Sequence, residues 1–176
     1  MRFFSVVSVA ACLASSVVAL PTQDNAVVAR SADPEAVAEA LSQSAELSAR
    51  GLTLVNGGNP SKAVNCPMTP AYAAQAYTAG QIKAAYLAGA QLNADGKQIG
   101  ANNYPHPYRS NQQLPNGCGT STQEFVIMRG NTIYDGGSVA TEPDRVLYEV
   151  KADKKQVKVK YCAVIRHVAV GFDQCD

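Results

Sequence analysis

The chain contains two histidines, and each sits in a segment of β character. His106 lies in Asn103-Tyr104-Pro105-His106-Pro107-Tyr108, and His167 in Val164-Ile165-Arg166-His167-Val168. Between them come two strand starts, Glu124-Phe125-Val126-Ile127 and Asp144-Arg145-Val146-Leu147. A carboxylate, an arginine and two imidazoles are the parts needed to cleave RNA without a metal. RNA carries a 2′-OH beside its phosphodiester, which DNA lacks. A base removes that proton and the 2′-oxygen attacks phosphorus, while an acid on the opposite side protonates the leaving 5′-oxygen. Cationic donors stabilise the charge that builds on the phosphoryl oxygens. A lone histidine on a strand usually packs; the order and spacing of these four groups are the best clue to function in the chain.

Strand alternation decides whether these groups can meet. Residues two apart share a face, so Tyr104 goes with His106, Glu124 with Val126, Arg145 with Leu147, and His167 with Ile165. Phe125, Ile127, Val146, Tyr148, Val164 and Val168 fall on the other face and can pack on a helix. That helix is predicted after Thr78-x-x-Gln81, a capping-box signature. Ile82, Ala85, Tyr86, Gly89 and Leu92 then recur at helical spacing, and Asp95-Gly96 ends the run, glycine being suited to a left-handed cap. Ala71 to Tyr77 reads as an earlier helical turn on alanine propensity, and Gly51 to Asn65 as an arm or loop.

After Gly100 the period shortens to two. Asn102 to Tyr108 contains two prolines and reads as an edge or irregular strand. Pro115-Asn116-Gly117 marks a turn, and Ile133-Tyr134 a short strand. Gln123 to Met128, Asp144 to Val150 and Val157 to Val170 read as strands. One main helix followed by several strands predicts an α+β fold, with the helix packed on a twisted antiparallel sheet. Lys151, Lys154, Lys155, Lys158 and Lys160 read as a solvated hairpin rather than an RNA-binding stripe.

The ends and the cysteines set the context. Arg2 followed by an uncharged apolar run from Phe3 to Val18 reads as a signal peptide, cut after Ala19. Residues 20–50 read as a pro-segment or a disordered linker, which leaves residues 51–176 as one domain. That domain is mildly basic, which is compatible with a polyanionic partner. No second apolar run is long enough to span a bilayer, so no membrane partner is expected. Cys12 leaves with the signal; Cys66, Cys118, Cys162 and Cys175 remain. An even number in an exported domain implies two disulfides, with three connectivities possible. There is no CxxC spacing, and no metal or cofactor is expected.

These residues together resemble the secreted fungal ribonucleases of the T1/N1/U2 type, a group that includes ribotoxins such as sarcin. The resemblance covers Cys66 to Cys175. Its strongest piece is Ala94-Asp95-Gly96-Lys97-Gln98-Ile99-Gly100 followed by Asn102-Asn103-Tyr104-Pro105-His106. Glu124-Phe125, Pro143-Asp144-Arg145-Val146, Tyr161-Cys162-Ala163-Val164-Ile165-Arg166-His167 and Phe172 to Cys175 supply the rest. Each motif alone is weak; their joint order is specific.

The resemblance implies Glu124 as general base, His167 as general acid, and His106 as an aid to the base. It implies that Arg145 and Tyr104 hold the phosphate, that Phe172 shapes the phosphate pocket, and that the disulfides are Cys66–Cys175 and Cys118–Cys162, as in the U2-type enzyme. The partner would be single-stranded RNA, met by a monomer and cut to a 2′,3′-cyclic phosphate, with a purine preference.

Three places depart from the family, one of them the loop between His167 and Phe172, which is shorter than in the common members and lacks their Thr-Gly-Ala-Ser run. The base-reading run is Tyr108-Arg109-Ser110-Asn111-Gln112, where guanine-specific members carry Tyr-Asn-Asn-Tyr-Glu. Tyr108 can stack on a base, but the Gln112 amide cannot present a carboxylate to guanine. Arg166 stands beside the acid where the family has a small residue, and an adjacent cation predicts a lowered pKa for His167. Two alternatives accompany the ribonuclease reading: a ribotoxin, disfavoured by short connections and modest charge, and a non-catalytic secreted effector on the same fold.

Overall fold

The computed structural model describes residues 53–110, 112–152 and 156–176. The expected signal peptide and pro-segment, Asn111, Lys154 and Lys155 lie outside the described residues.

The one α-helix among the described residues, α1 (Ala79–Ala94), begins as its sequence dictates. The Thr78 hydroxyl accepts from the Gln81 amide at 3.2 Å, and the Gln81 side chain accepts from the Thr78 amide at 2.8 Å. This reciprocal cap satisfies two amides that have no partner within the helix. At the other end Gly96 takes φ +63°, the left-handed conformation that glycine adopts without a Cβ penalty. Ile82, Ala85, Tyr86 and Gly89 are buried as the stripe predicts.

The strands are β1 (Thr53–Gly58), β2 (Val64–Cys66), β3 (Gln75–Tyr77), β4 (His106–Pro107), β5 (Thr122–Val126), β6 (Asp144–Ala152), β7 (Gln156–His167) and β8 (Phe172–Gln174). The main sheet runs β1-β7-β6-β5-β4, with β8 also pairing β7; β2 and β3 form a separate hairpin. From β4 to β8 every pairing is antiparallel. β1 adds a parallel edge beside β7, so the sheet as a whole is mixed.

Three local expectations need correction. The stretch read as an arm contains β1 and the first two residues of β2. The stretch read as a helical turn contains β3, which pairs Gln75 to Tyr77 with Cys66 to Val64. Alanine's helical preference is worth only tenths of a kcal/mol per residue, and tertiary bonds override it here. Arg166 donates to the carbonyls of Pro67 and Ala73 at 2.6 and 2.8 Å, and the Tyr77 hydroxyl donates to Asp144 at 2.6 Å. Ile133-Tyr134 forms no strand; the Tyr134 hydroxyl instead donates to the Gly137 carbonyl at 2.9 Å.

The main core lies between α1 and one face of the sheet and includes Ile82, Tyr86, Phe125, Ile127, Val146, Tyr148 and Val164. Val126 belongs to it as well, although alternation places it with Glu124. Val168, expected on this side, falls beyond β7 in a turn where its amide bonds the Gly171 carbonyl. The opposite face carries a smaller cluster of Tyr108, Leu114, Leu147, Cys162, Ala163 and Ile165, with Phe172 against it. The disulfides are Cys66–Cys175 and Cys118–Cys162. The first closes a separation of 109 residues, for which chain entropy gives a stabilisation of about 4–5 kcal/mol.

Candidate active site

The sheet register brings the candidates together. His106 on β4 lies directly opposite Glu124 on β5, Arg145 on β6 is opposite Val126, and His167 on β7 is opposite Phe172 on β8. His106 Nδ1 is 3.1 Å from Glu124 Oε1. The Tyr104 ring stacks on His106 with centroids 4.7 Å apart. Arg145 Nε donates to the Tyr104 hydroxyl at 2.7 Å, and its Nη1 donates to the carbonyls of Glu142 and Asp144 at 2.6 and 2.8 Å. The guanidinium also sits 5.0 Å from the Tyr104 ring centroid. Held at three points and 3 % exposed, Arg145 is a preplaced cation. The His167 ring meets Phe172 edge-on at 4.3 Å, and Phe172 in turn meets Tyr108 at 5.6 Å.

Of the five buried side-chain atoms without a partner among the described residues, Gln91 Oε1 and Arg129 Nε and Nη2 belong to residues outside the candidate set, and two belong to the candidates. Glu124 Oε2 and His167 Nε2 are buried and have no hydrogen-bond partner among the described residues. A buried polar atom without a partner costs free energy, so a fold that keeps one on each of two titratable groups holds a reserve for something else to engage. Burial pushes the Glu124 carboxyl above the usual carboxylate range, against the pull of His106 and Arg145. Burial and then Arg145 push His167 below the usual histidine range, with Asp144 acting the other way. Arg145 therefore acts electrostatically on both groups.

Arg166 does not play the part expected of it. Alternation turns it to the face opposite His167. There it is fully buried and pairs with Asp144 through Nε–Oδ1 at 2.7 Å and Nη2–Oδ2 at 2.8 Å. The lowering of His167 comes from burial and Arg145 instead. Asp144, Arg166 and Tyr77 form a buried polar network that sequence reasoning missed. A charged Arg166 directly after the apolar run Cys162-Ala163-Val164-Ile165 of β7 was its available signal.

An open cleft of about 460 Å³ runs beside Glu124 and His106, lined also by Gln98, Asn102, Asn103, Tyr108, Arg109 and Phe172. In the sequence Gln98, Asn102 and Asn103 are marked only as parts of a motif. Asn103 takes φ +55°, a conformation asparagine tolerates better than most residues, and Gln98 donates to the Pro105 carbonyl at 2.8 Å. Of the predicted base-reading run, Tyr108 and Arg109 line this cleft, while Ser110 and Gln112 line its neighbour. The Tyr108 hydroxyl donates to Gln112 Oε1 at 3.3 Å, and Ser110 Oγ accepts from the Gln112 amide at 3.1 Å. Cys66, Asp144 and Cys175 form the one grouping of metal-ligating types among the described residues. Its sulfurs are in a disulfide and its carboxylate bonds Arg166 and Tyr77.

No family model matches the chain. Among curated proteins it is similar to guanyl-specific ribonuclease T1 of Aspergillus oryzae, 32% identical over 72 residues, 41% of this chain and 54% of that protein. Guanyl-specific ribonuclease Ap1 of Aspergillus pallidus matches at 32% over 72 residues, 67% of its length. Guanyl-specific ribonuclease C2 of Aspergillus clavatus matches at 32% over 72 residues, 53% of its length. The match thus spans about half the length of two of these relatives and two thirds of the other. By these matches, and with the α+β fold and two disulfides described above, the chain belongs to the family of ribonuclease T1.

Proposed function

We propose that this protein is a secreted, monomeric endoribonuclease that cleaves single-stranded RNA by attack of the 2′-OH, leaving a 2′,3′-cyclic phosphate. The observation that carries the reading is the pair of buried, unpartnered acid–base atoms, Glu124 Oε2 and His167 Nε2, with one fixed arginine acting on both. Glu124, its Oε1 held by His106, takes the 2′-proton. His167, packed against Phe172, returns a proton to the 5′-oxygen. Arg145, oriented by Tyr104 and two carbonyls, meets the phosphoryl oxygens. Every step uses the chain's own residues, so a chelator should leave the rate unchanged, and DNA should not be cut. Tyr108 offers a stacking surface, and Arg109, Ser110, Asn111 and Gln112 form the rest of the base-reading loop. The curated relatives are named guanyl-specific. With Gln112 in place of a carboxylate and bonded to Tyr108, we propose a purine preference weaker than theirs. Two disulfides suit an oxidising compartment, and no described helix is long and apolar enough to cross a membrane.

The test is cleavage of a dinucleoside monophosphate panel and of a short RNA by the full chain. Glu124→Gln and His167→Gln should each lower kcat by about 10²–10⁴-fold, the usual contribution of a positioned acid or base. Cyclic-phosphate ends should appear first. Undiminished cleavage by the double variant would overturn the assignment. RNA binding with no cleavage by the wild-type chain would favour the effector reading instead.

A further inference from the structure

We infer that the far end of the catalytic sheet face is a docking surface for the phosphodiester backbone of RNA extending beyond the cleavage site, built on Lys151 and Lys158. This inference rests on the ribonuclease reading and adds a second contact region to it.

The placement follows from an irregularity in the sheet. Along β6 the side chains of Arg145, Leu147, Glu149 and Lys151 share one face, and burial agrees: Arg145 and Leu147 are buried on the site side, while Lys151 at the end is exposed. Regular alternation along β7 from His167 would bring Ile165, Ala163, Tyr161, Val159 and Val157 to the same face and turn the lysines away. The register shifts by one residue, however, between the Leu147–Ala163 and Tyr148–Tyr161 pairs. The extra residue, Cys162, is on β7. A bulge of this kind re-aims every side chain beyond it. Ala163 and Cys162 both face the small cluster on the site side, Val159 and Val157 turn into the main core, and Lys160 and Lys158 swing to the face that carries Arg145.

The result is an exposed basic end to the site's own face. Lys151 lies directly opposite Lys158, and Lys160 opposite Glu149. Lys160 donates to the Gly117 carbonyl at 3.2 Å, and Glu149 accepts from the Gly119 amide and the Ser121 hydroxyl. Lys151 and Lys158 have no ion-pair partner among the described residues. Like charges directly opposite one another weaken a strand pair, and a polyanion laid across them would relieve that repulsion. Six residues of strand separate Arg145 from Lys151, roughly 20 Å at the usual rise. A dinucleotide at the site cannot reach so far; a longer strand can. Reading these lysines as a solvated hairpin fits their composition but not their phase, which the bulge sets.

The test compares the full chain with its Lys151→Gln/Lys158→Gln variant on a dinucleoside monophosphate and on a single-stranded RNA of twenty nucleotides. The variant should cleave the dinucleotide at the wild-type rate. On the longer RNA its KM should rise about tenfold at low salt, and the slope of log affinity against log salt should flatten by about 1.4, the loss of two phosphate contacts on a single strand. Lys83→Gln, on the helix behind the sheet, should change neither. Equal KM values for wild type and variant on the long RNA would overturn the inference while leaving the ribonuclease reading intact. If the wild-type chain cuts neither substrate, that reading falls, and the same RNA titrated against both proteins by fluorescence anisotropy still decides the surface: weaker binding by the variant supports it, and equal binding overturns it.

Discussion

At the scale of single residues, the candidate site holds two titratable groups away from their ordinary values in opposite directions, and the proposed roles turn those shifts into a pH profile. A general base must be ionised, and burial raises the Glu124 carboxyl above its ordinary 4.5, so the rising limb of activity shifts to higher pH. A general acid must be protonated, and burial with Arg145 lowers His167 from its ordinary 6.5, so the falling limb shifts to lower pH. The two limbs close on each other, and kcat/KM should describe a narrower bell than the same two groups would give at their ordinary values. A rate profile that is still rising at pH 7 would contradict the assignment of roles.

The same shift bears on stability. A carboxyl whose pKa is raised on folding contributes stability below its unfolded pKa and loses it as pH rises through the folded value. Glu124→Gln should therefore melt a few degrees higher than wild type at pH 7 and no higher at pH 3, while losing activity. This is the trade expected where an active site keeps a costly buried charge.

At the scale of elements, the helix must lie close against the sheet for β5 and β6 to hold Glu124 and Arg145 in place. Gly89 permits that approach. A Cβ there would meet the Tyr148 hydroxyl at 2.5 Å and Phe125 Cγ at 3.0 Å. The same hydroxyl donates to Asn93 Oδ1 at 2.7 Å, so it has little freedom to retreat. Gly89→Ala, which would ordinarily favour a helix, should here cost about 1–3 kcal/mol by overpacking, read as a lower midpoint in urea. The helix was legible because capping and apolar spacing are local properties of the chain. The β2–β3 hairpin was not, because its residues prefer other structure and are held by distant partners. The bulge at Cys162 escaped for a related reason: it reverses alternation without leaving a glycine or proline to mark it.

At the scale of the whole molecule, the buried Asp144–Arg166 pair ties layers together. Arg166 bonds Asp144 on the neighbouring strand and the carbonyls of Pro67 and Ala73 in the loop before β3. Tyr77 completes the carboxylate's shell. Arg166→Met should cost about 3–5 kcal/mol, because it leaves a buried carboxylate without its cation. Replacing Asp144 with leucine in the same chain should recover part of that loss, since an uncharged interior has no orphaned ion. Denaturation midpoints of the single and double variants measure both effects.

The sequence by itself determined the chemistry on offer and much of the scaffold. The types and order of His106, Glu124, Arg145 and His167, the cap and stripe of the helix, the main strands and the four bonded cysteines are local or compositional properties, readable where they stand. Only the tertiary structure decided which of these groups face one another and under what field. Arg166 looked like the neighbour that tunes His167 because it is adjacent in the chain, yet strand alternation sends it to the opposite face, and Arg145 takes that part from across the sheet. Lys158 and Lys160 have their facing set by one extra residue in β7, which puts them on the face that carries Arg145. Both outcomes depend on register, a relation between strands that no single strand contains.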